Sequence, residues 1–340
     1  MNEQILNYKK PYQSDQMNFD KFLLDAKKEE EQTKKVIPAD LPSDLNELKL
    51  QLDGAGYTAT NQILYALKIA SSLGMPILIE GDPGVGKTSL AKAVSKIMGS
   101  ELIKVQFYDG ITNNDILYEY DYQKQMLYMN AIKENINMEL QGLSANEALE
   151  KLSSNGINFF GKEFLIERPL LKAISGGKNT LLLDEIDKAS EETEYMLLEL
   201  LDTFSITIPE YGTIECPPEN RPMVFLTSNR YRELSDALKR RCIYLYIEPK
   251  TAEETKEIIA KQARVPEEFA YQVAKKVESI RGLNLKQKPS ISDAINWAIV
   301  LMSLVGVANT DIFKNKAEVK ATLGTILKNK ADIESAARIL

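Results

Sequence analysis

The sequence has no histidine. That removes histidine general bases, Ser–His–Asp triads and most zinc sites before any motif is sought. Cysteine is almost as scarce: Cys216 and Cys242 are far apart and in no metal-ligand spacing, so both read as reduced thiols without a chemical task. No apolar run approaches the ~18–20 residues that a membrane span needs. The opening MNEQILNYKK lacks an apolar signal core, so a cytoplasmic chain without membrane insertion is expected. Positive charge is short as well. Lys and Arg number 42 against 49 Asp and Glu, a net charge of −7, which weighs against broad contact with a nucleic-acid backbone.

What remains is an ordinary globular composition, 44% hydrophobic over 340 residues, long enough for two domains. Residues 1–45 read as a peripheral arm, with a mixed charge run over Lys27–Lys35, then Pro38 and Pro42, and a short helix at Phe19–Lys28. Either a frayed end or a docking arm for a neighbouring subunit fits this composition. From Tyr57 the pattern is orderly. Ile63, Leu64, Leu67 and Ala70 share one face of a helix over Asn61–Leu73, which Gly74 ends. Short apolar runs follow at Met75–Glu80, Leu102–Phe107, Asn179–Glu185, Met223–Ser228 and Cys242–Ile247, with a helix at Ser89–Met98. Strands alternating with helices predict a parallel sheet covered on both faces, in a domain over 46–249. Thr251 with Glu254, and Ser290 with Asp293, then mark helix starts in an all-helical domain over 250–340, where Ala294, Trp297, Ala298, Leu301 and Leu304 recur at helical spacing.

The strongest chemical signal is GDPGVGKT: Gly81, Asp82, Pro83, Gly84, Val85, Gly86, Lys87 and Thr88, with Ser89 continuing into the helix. It matches G-x-x-x-x-G-K-[ST] and sits between a strand and a helix, the context this loop requires. The glycines let backbone N–H groups converge on phosphate oxygens, and the helix N-terminus adds its dipole. Lys87 is expected on the β- and γ-phosphates of ATP, and the Thr88 hydroxyl on Mg²⁺. In LLLDEID an apolar strand delivers Asp184 to the same sheet end as a second Mg²⁺ ligand, and Glu185 is placed to orient or deprotonate a water. Asn229, ending TSN, is a neutral amide that can hold the attacking water or contact the γ-phosphate. Arg240 and Arg241, in ELSDALKRRC, either cap a helix C-terminus or face a neighbour's γ-phosphate, with Arg241 preferred for the second role.

The ordered set of glycine loop, DEID, TSN and ALKRRC resembles an AAA+ ATPase. The runs QFYDG (106–110), DILYEYDYQKQML (115–127), FLIERPLLKAI (164–174), IPEYGTI (208–214) and RELSDALKRRC (232–242) are similar to the MoxR family, its CoxD-like branch in particular. The resemblance covers roughly 50–305. It implies an α/β P-loop core whose five-stranded parallel sheet has the order 5-1-4-3-2, and a small all-helical lid domain. It further implies a homo-hexamer that hydrolyses ATP to remodel a client protein, with a von Willebrand factor A domain protein as partner.

Two insertions read as hairpins. Tyr118, Tyr120 and Tyr122 alternate, then Met126 and Tyr128, within 115–130; Phe204, Ile206, Ile208 and Ile214 alternate around a turn at 210–212, within 204–216. Such insertions also resemble those of helicases, but the tips offer Gln123–Lys124–Gln125 and Glu210–Tyr211–Gly212, poor for DNA. A scaffold that binds ATP without turnover is opposed by the intact Glu185 and Arg241. One departure from the AAA+ pattern stands out: Ser292 falls near the position of a second, nucleotide-contacting arginine, with Lys286 and Lys288 as substitutes. Gln106 is a candidate to hold Glu185 inactive.

Overall fold

The computed structural model of the chain describes residues 40–130, 161–209, 211–305, 312–314 and 316–340, within the compact unit Pro38–Leu340. The arm expected over 1–45 lies outside the described residues except for its last few, and so does its helix at 19–28.

Five parallel strands form the central sheet: β1 (Ile77–Glu80), β2 (Leu102–Gln106), β5 (Thr180–Asp184), β8 (Met223–Ser228) and β9 (Ile243–Tyr246), in the order β2-β5-β8-β1-β9. Numbered among themselves and read from the β9 edge, these are 5-1-4-3-2, the expected order. β5 is buried at every position, as a strand covered on both faces must be. Alternate residues feed two cores. Leu78, Val105, Leu181, Leu183 and Leu226 face one; Ile77, Ile79, Leu182, Phe225 and Leu245 face the other. Helices α1 (Leu45–Gly54), α2 (Asn61–Leu73) and α3 (Lys87–Met98) cover the second face. α5 (Pro169–Ser175) and α6 (Glu191–Thr203) cover the first. Truncating one of these fully buried leucines would cost about 2–5 kcal/mol.

Two short ribbons lie outside this sheet. β6 (Ser205–Ile208) and β7 (Gly212–Glu215) pair antiparallel with Ile206 opposite Ile214; the tip residue 210 lies outside the described residues. The other ribbon corrects the sequence reading. The stretch 115–130 is not a hairpin: α4 (Asn113–Ile116) leads into β3 (Tyr118–Tyr120), which pairs with β4 (Leu165–Glu167), while 122–130 is helical. Asp121 is the reason. Its carboxylate accepts from Lys124 N at 2.9 Å and its carbonyl from Gln125 N, an N-cap that stops the alternation after Tyr120.

After Lys250 the described residues form α8 (Ala252–Ala263), α9 (Glu267–Arg281), α10 (Ile291–Val305), α11 (Lys316–Thr322) and α12 (Lys330–Ala337), around a core of their own. Trp297 is its centre, fully buried, with Nε1 donating to Thr322 Oγ1 at 2.7 Å. Both predicted caps form, Thr251 with Glu254 and Ser290 with Asp293. Among the described residues no helix is long and apolar enough to cross a membrane.

Candidate nucleotide site

The glycine loop leaves the C-terminal end of β1 and opens α3 at Lys87. Gly86 has φ 103°, a left-handed conformation that a side chain would strain. Gly84 meets a different constraint. A Cβ there would lie 2.1 Å from Ser290 Cβ, so only hydrogen fits where the loop touches the start of α10. Ile291 N donates to Gly84 O at 3.3 Å across the same contact.

A cavity of about 360 Å³ opens over this loop. Pro83, Gly84, Val85, Gly86, Lys87, Thr88 and Ser89 line it, together with Asp184, Glu185, Thr227 and Asn229 from the ends of β5 and β8. Gly81 and Asp82 lie below it and turn their carbonyls to Lys87, whose Nζ donates to Gly81 O (2.7 Å), Asp82 O (2.9 Å) and Asn229 Oδ1 (2.7 Å). Burial lowers the pKa of Lys87, and the nearby charges of Asp187, Asp184, Asp82 and Glu185 oppose that shift. The far wall comes from Tyr57 and Thr58 and from the helical part, through Ile258, Gln262, Ile291, Ser292 and Ile295. Tyr57, Ile258, Ile291 and Ile295 give it apolar surface suited to a flat base. Lys286 and Lys288 are exposed; Lys288 lines a smaller hollow on the other side of Gly84, beside Arg281.

Asp184 is the hub of the polar side. Oδ1 accepts from Thr88 Oγ1 at 2.9 Å and from Thr227 Oγ1 at 2.6 Å, and Oδ2 pairs with Lys104 Nζ at 2.7 Å. Burial pushes its pKa up, but the bonds from Lys104, Thr227 and Thr88 outweigh burial and hold the carboxyl below its ordinary value. A hydroxyl and an ionised carboxylate side by side fit magnesium. Among the described residues no group of three His, Cys, Asp or Glu could hold a metal, so a cation here would complete its shell with phosphate and water, as Mg²⁺ does.

Glu185 occupies the left-handed region (φ 59°), with its N–H on Thr227 Oγ1 at 3.0 Å. This turns the carboxylate away from the strand line, where Lys188 Nζ meets it at 2.5 Å. In this structure the side chain that meets Glu185 is Lys188, where the sequence offered Gln106. Lys104 and Lys188 escaped the sequence reading, and Thr227 and Asp187 entered it only as members of TSN and DEID without a role, because the sheet register and the 3₁₀ turn Ile186–Lys188 bring them here.

Arg240 and Arg241 stand apart from the cavity. Arg240 ends α7 (Asp236–Arg240) and is exposed; Arg241 Nε donates to Asp202 Oδ1 at 2.6 Å and Nη1 to Ala237 O at 3.2 Å. Both precede β9, whose first residue, Ile243, donates to Pro76 O just ahead of β1. The arginines thus lie at the strand starts and the glycine loop at the strand ends, roughly 13 Å away along β1.

A stretch of 61 residues, 17% of this chain, is 39% identical to midasin of Giardia intestinalis and spans 1% of that protein's length. The Thermotoga maritima RuvB Holliday junction branch migration motor aligns over 84% of this chain and 72% of its own, at 17% identity and a TM-score of 0.42. A variant of it aligns over 83% and 72%, at 20% identity and a TM-score of 0.45. Residues 76–242, which hold the glycine loop, Asp184, Glu185, Asn229, Arg240 and Arg241, match the family of AAA domains, dynein-related subfamily. This chain has an α/β P-loop fold, and its residues 76–242 are similar to the AAA domains of that family.

Proposed function

We propose that this chain hydrolyses ATP to ADP and phosphate and acts as a MoxR-type remodelling ATPase. It would work as a homo-hexamer that matures or remodels a client complex, with a von Willebrand factor A domain protein as partner. The observation that carries the catalytic part is the convergence of Lys87, Thr88, Asp184, Glu185 and Asn229 on one cavity, from three separate strand ends.

The triphosphate lies along the N–H groups of residues 84–88, at the positive end of α3. Lys87 reaches the β- and γ-phosphates, and the base lies between Tyr57 and the apolar residues of α8 and α10. Thr88 and Asp184 would hold magnesium, which would neutralise phosphate charge. Glu185 orients the attacking water and takes its proton, while Asn229 fixes the γ-phosphate without adding charge. Arg241, or its neighbour Arg240, completes the site of the next subunit by stabilising charge in the transition state. Their position at the opposite end of the strands from the glycine loop supports action in trans.

Phosphate release by the purified protein with magnesium and ATP tests this reading. Turnover in the wild type that is lost in Glu185→Gln, and unchanged by single-stranded DNA, is expected. Equal turnover in both would remove Glu185 from the mechanism, and stimulation by DNA would favour a nucleic-acid motor.

A further inference from the structure

The turn after β8 touches the glycine loop twice. Asn229 Oδ1 accepts from Lys87, and Arg230 Nη2 donates to Asp82 Oδ1 at 3.0 Å while its guanidinium stacks on the Tyr246 ring, 5.2 Å from the centroid. Arg230 is in the left-handed region, φ 62°, which a residue with a Cβ occupies only when its surroundings impose it. Three bonds do so. Arg230 N donates to Ser228 Oγ at 3.0 Å, and the amides on either side, Asn229 N and Tyr231 N, both donate to Asp187 Oδ2, at 3.0 and 2.7 Å.

Asp187 is 1% exposed, and its other oxygen, Oδ1, is buried without a hydrogen-bond partner among the described residues. A carboxylate removed from water at such a cost needs a return in structure or chemistry. Its bonds go to the two amides flanking Arg230. It also belongs to the short turn Ile186–Lys188 that begins at Glu185. We infer that Asp187 is a positioning residue: it locks the turn 229–231 so that Asn229 and Arg230 engage the glycine loop, and ties that turn to the one carrying Glu185. The charge of Asp187 is also the foremost of those that oppose the burial of Lys87. This inference rests on the ATPase reading above.

The test compares Asp187→Asn, Asn229→Ala and the double variant with the wild type. Asp187→Asn keeps the shape but loses the charge on which both amides converge. Binding of a fluorescent ATP analogue with magnesium should stay within about threefold, because Lys87, Thr88 and the loop amides remain, while kcat falls about 10- to 100-fold. A merely structural role would instead lower the number of binding sites per protein. If Asp187 acts through the turn, kcat of the double variant falls by clearly less than the product of the two single losses. Unchanged kcat in folded Asp187→Asn, or losses that multiply in the double variant, would overturn the inference while leaving the ATPase reading intact. A wild type without turnover would overturn both. Should Asp187→Asn not fold, amide hydrogen exchange on the wild type takes its place: Asn229 and Tyr231 should be protected together, and fast, independent exchange would overturn the inference.

Discussion

Lys188 Nζ lies 2.5 Å from Glu185 Oε2, so the carboxylate proposed to handle water is ion-paired within its own turn. The pair raises the pKa of Lys188 through the hydrogen bond and the charge of Glu185. The lysine therefore stays charged across the working range.

Releasing that pair should free Glu185. Lys188→Ala is expected to raise basal phosphate release severalfold at most, because an exposed pair is weak and salt-screened. Glu185→Gln should lower it about 10²- to 10⁴-fold with nucleotide binding retained. Steady-state phosphate release at two salt concentrations measures both. A Lys188→Ala rate below the wild type would mean that the lysine assists the reaction.

Arg241→Ala should lose up to about 10³-fold in turnover, and mixing it with Lys87→Ala subunits should restore part of that loss. The first variant keeps an intact nucleotide pocket, and the second keeps its arginine for a neighbour. Asp202 holds Arg241 in the single chain, so Asp202→Asn is expected to alter turnover without weakening nucleotide binding. Mixed assemblies with no recovery, at unchanged oligomer size, would count against action in trans.

The two thiols should be inert in the folded protein. Burial pushes the Cys216 thiol above its ordinary value and that of Cys242 up to about 12, and only the thiolate reacts. Alkylation at pH 8 should therefore leave the native protein unlabelled, and denaturant should expose two reactive groups. Rapid labelling of the native protein would contradict the burial of both side chains.

Much of this site could be read from local sequence, and the reason is chemical. Gly84, Gly86, Lys87 and Thr88 act through backbone freedom and side-chain type at fixed spacing, which a linear motif records. Asp184 announced itself because a run of three leucines ended in a charge. What stayed hidden needed long-range geometry. The Lys104–Asp184 pair depends on β2 lying beside β5, and the bonds of Asp187 join residues more than forty positions apart. The tyrosine alternation at 118–122 misled for a local reason: a strand pattern of three residues cannot show its partner, and β4 lies beyond a long intervening segment. The small size demanded of Gly84 likewise traces to Ser290, a residue of the helical part that no glycine motif mentions.

The central claim is that the Gly81–Thr88 loop binds magnesium–ATP through Lys87. Titration of a fluorescent ATP analogue with magnesium into wild type, Lys87→Ala and Glu185→Gln tests it most directly. Saturable binding is predicted for the wild type and for Glu185→Gln, with a dissociation constant between about 1 μM and 1 mM, and none in that range for Lys87→Ala. Undiminished binding by Lys87→Ala, or no binding by the wild type, would contradict it.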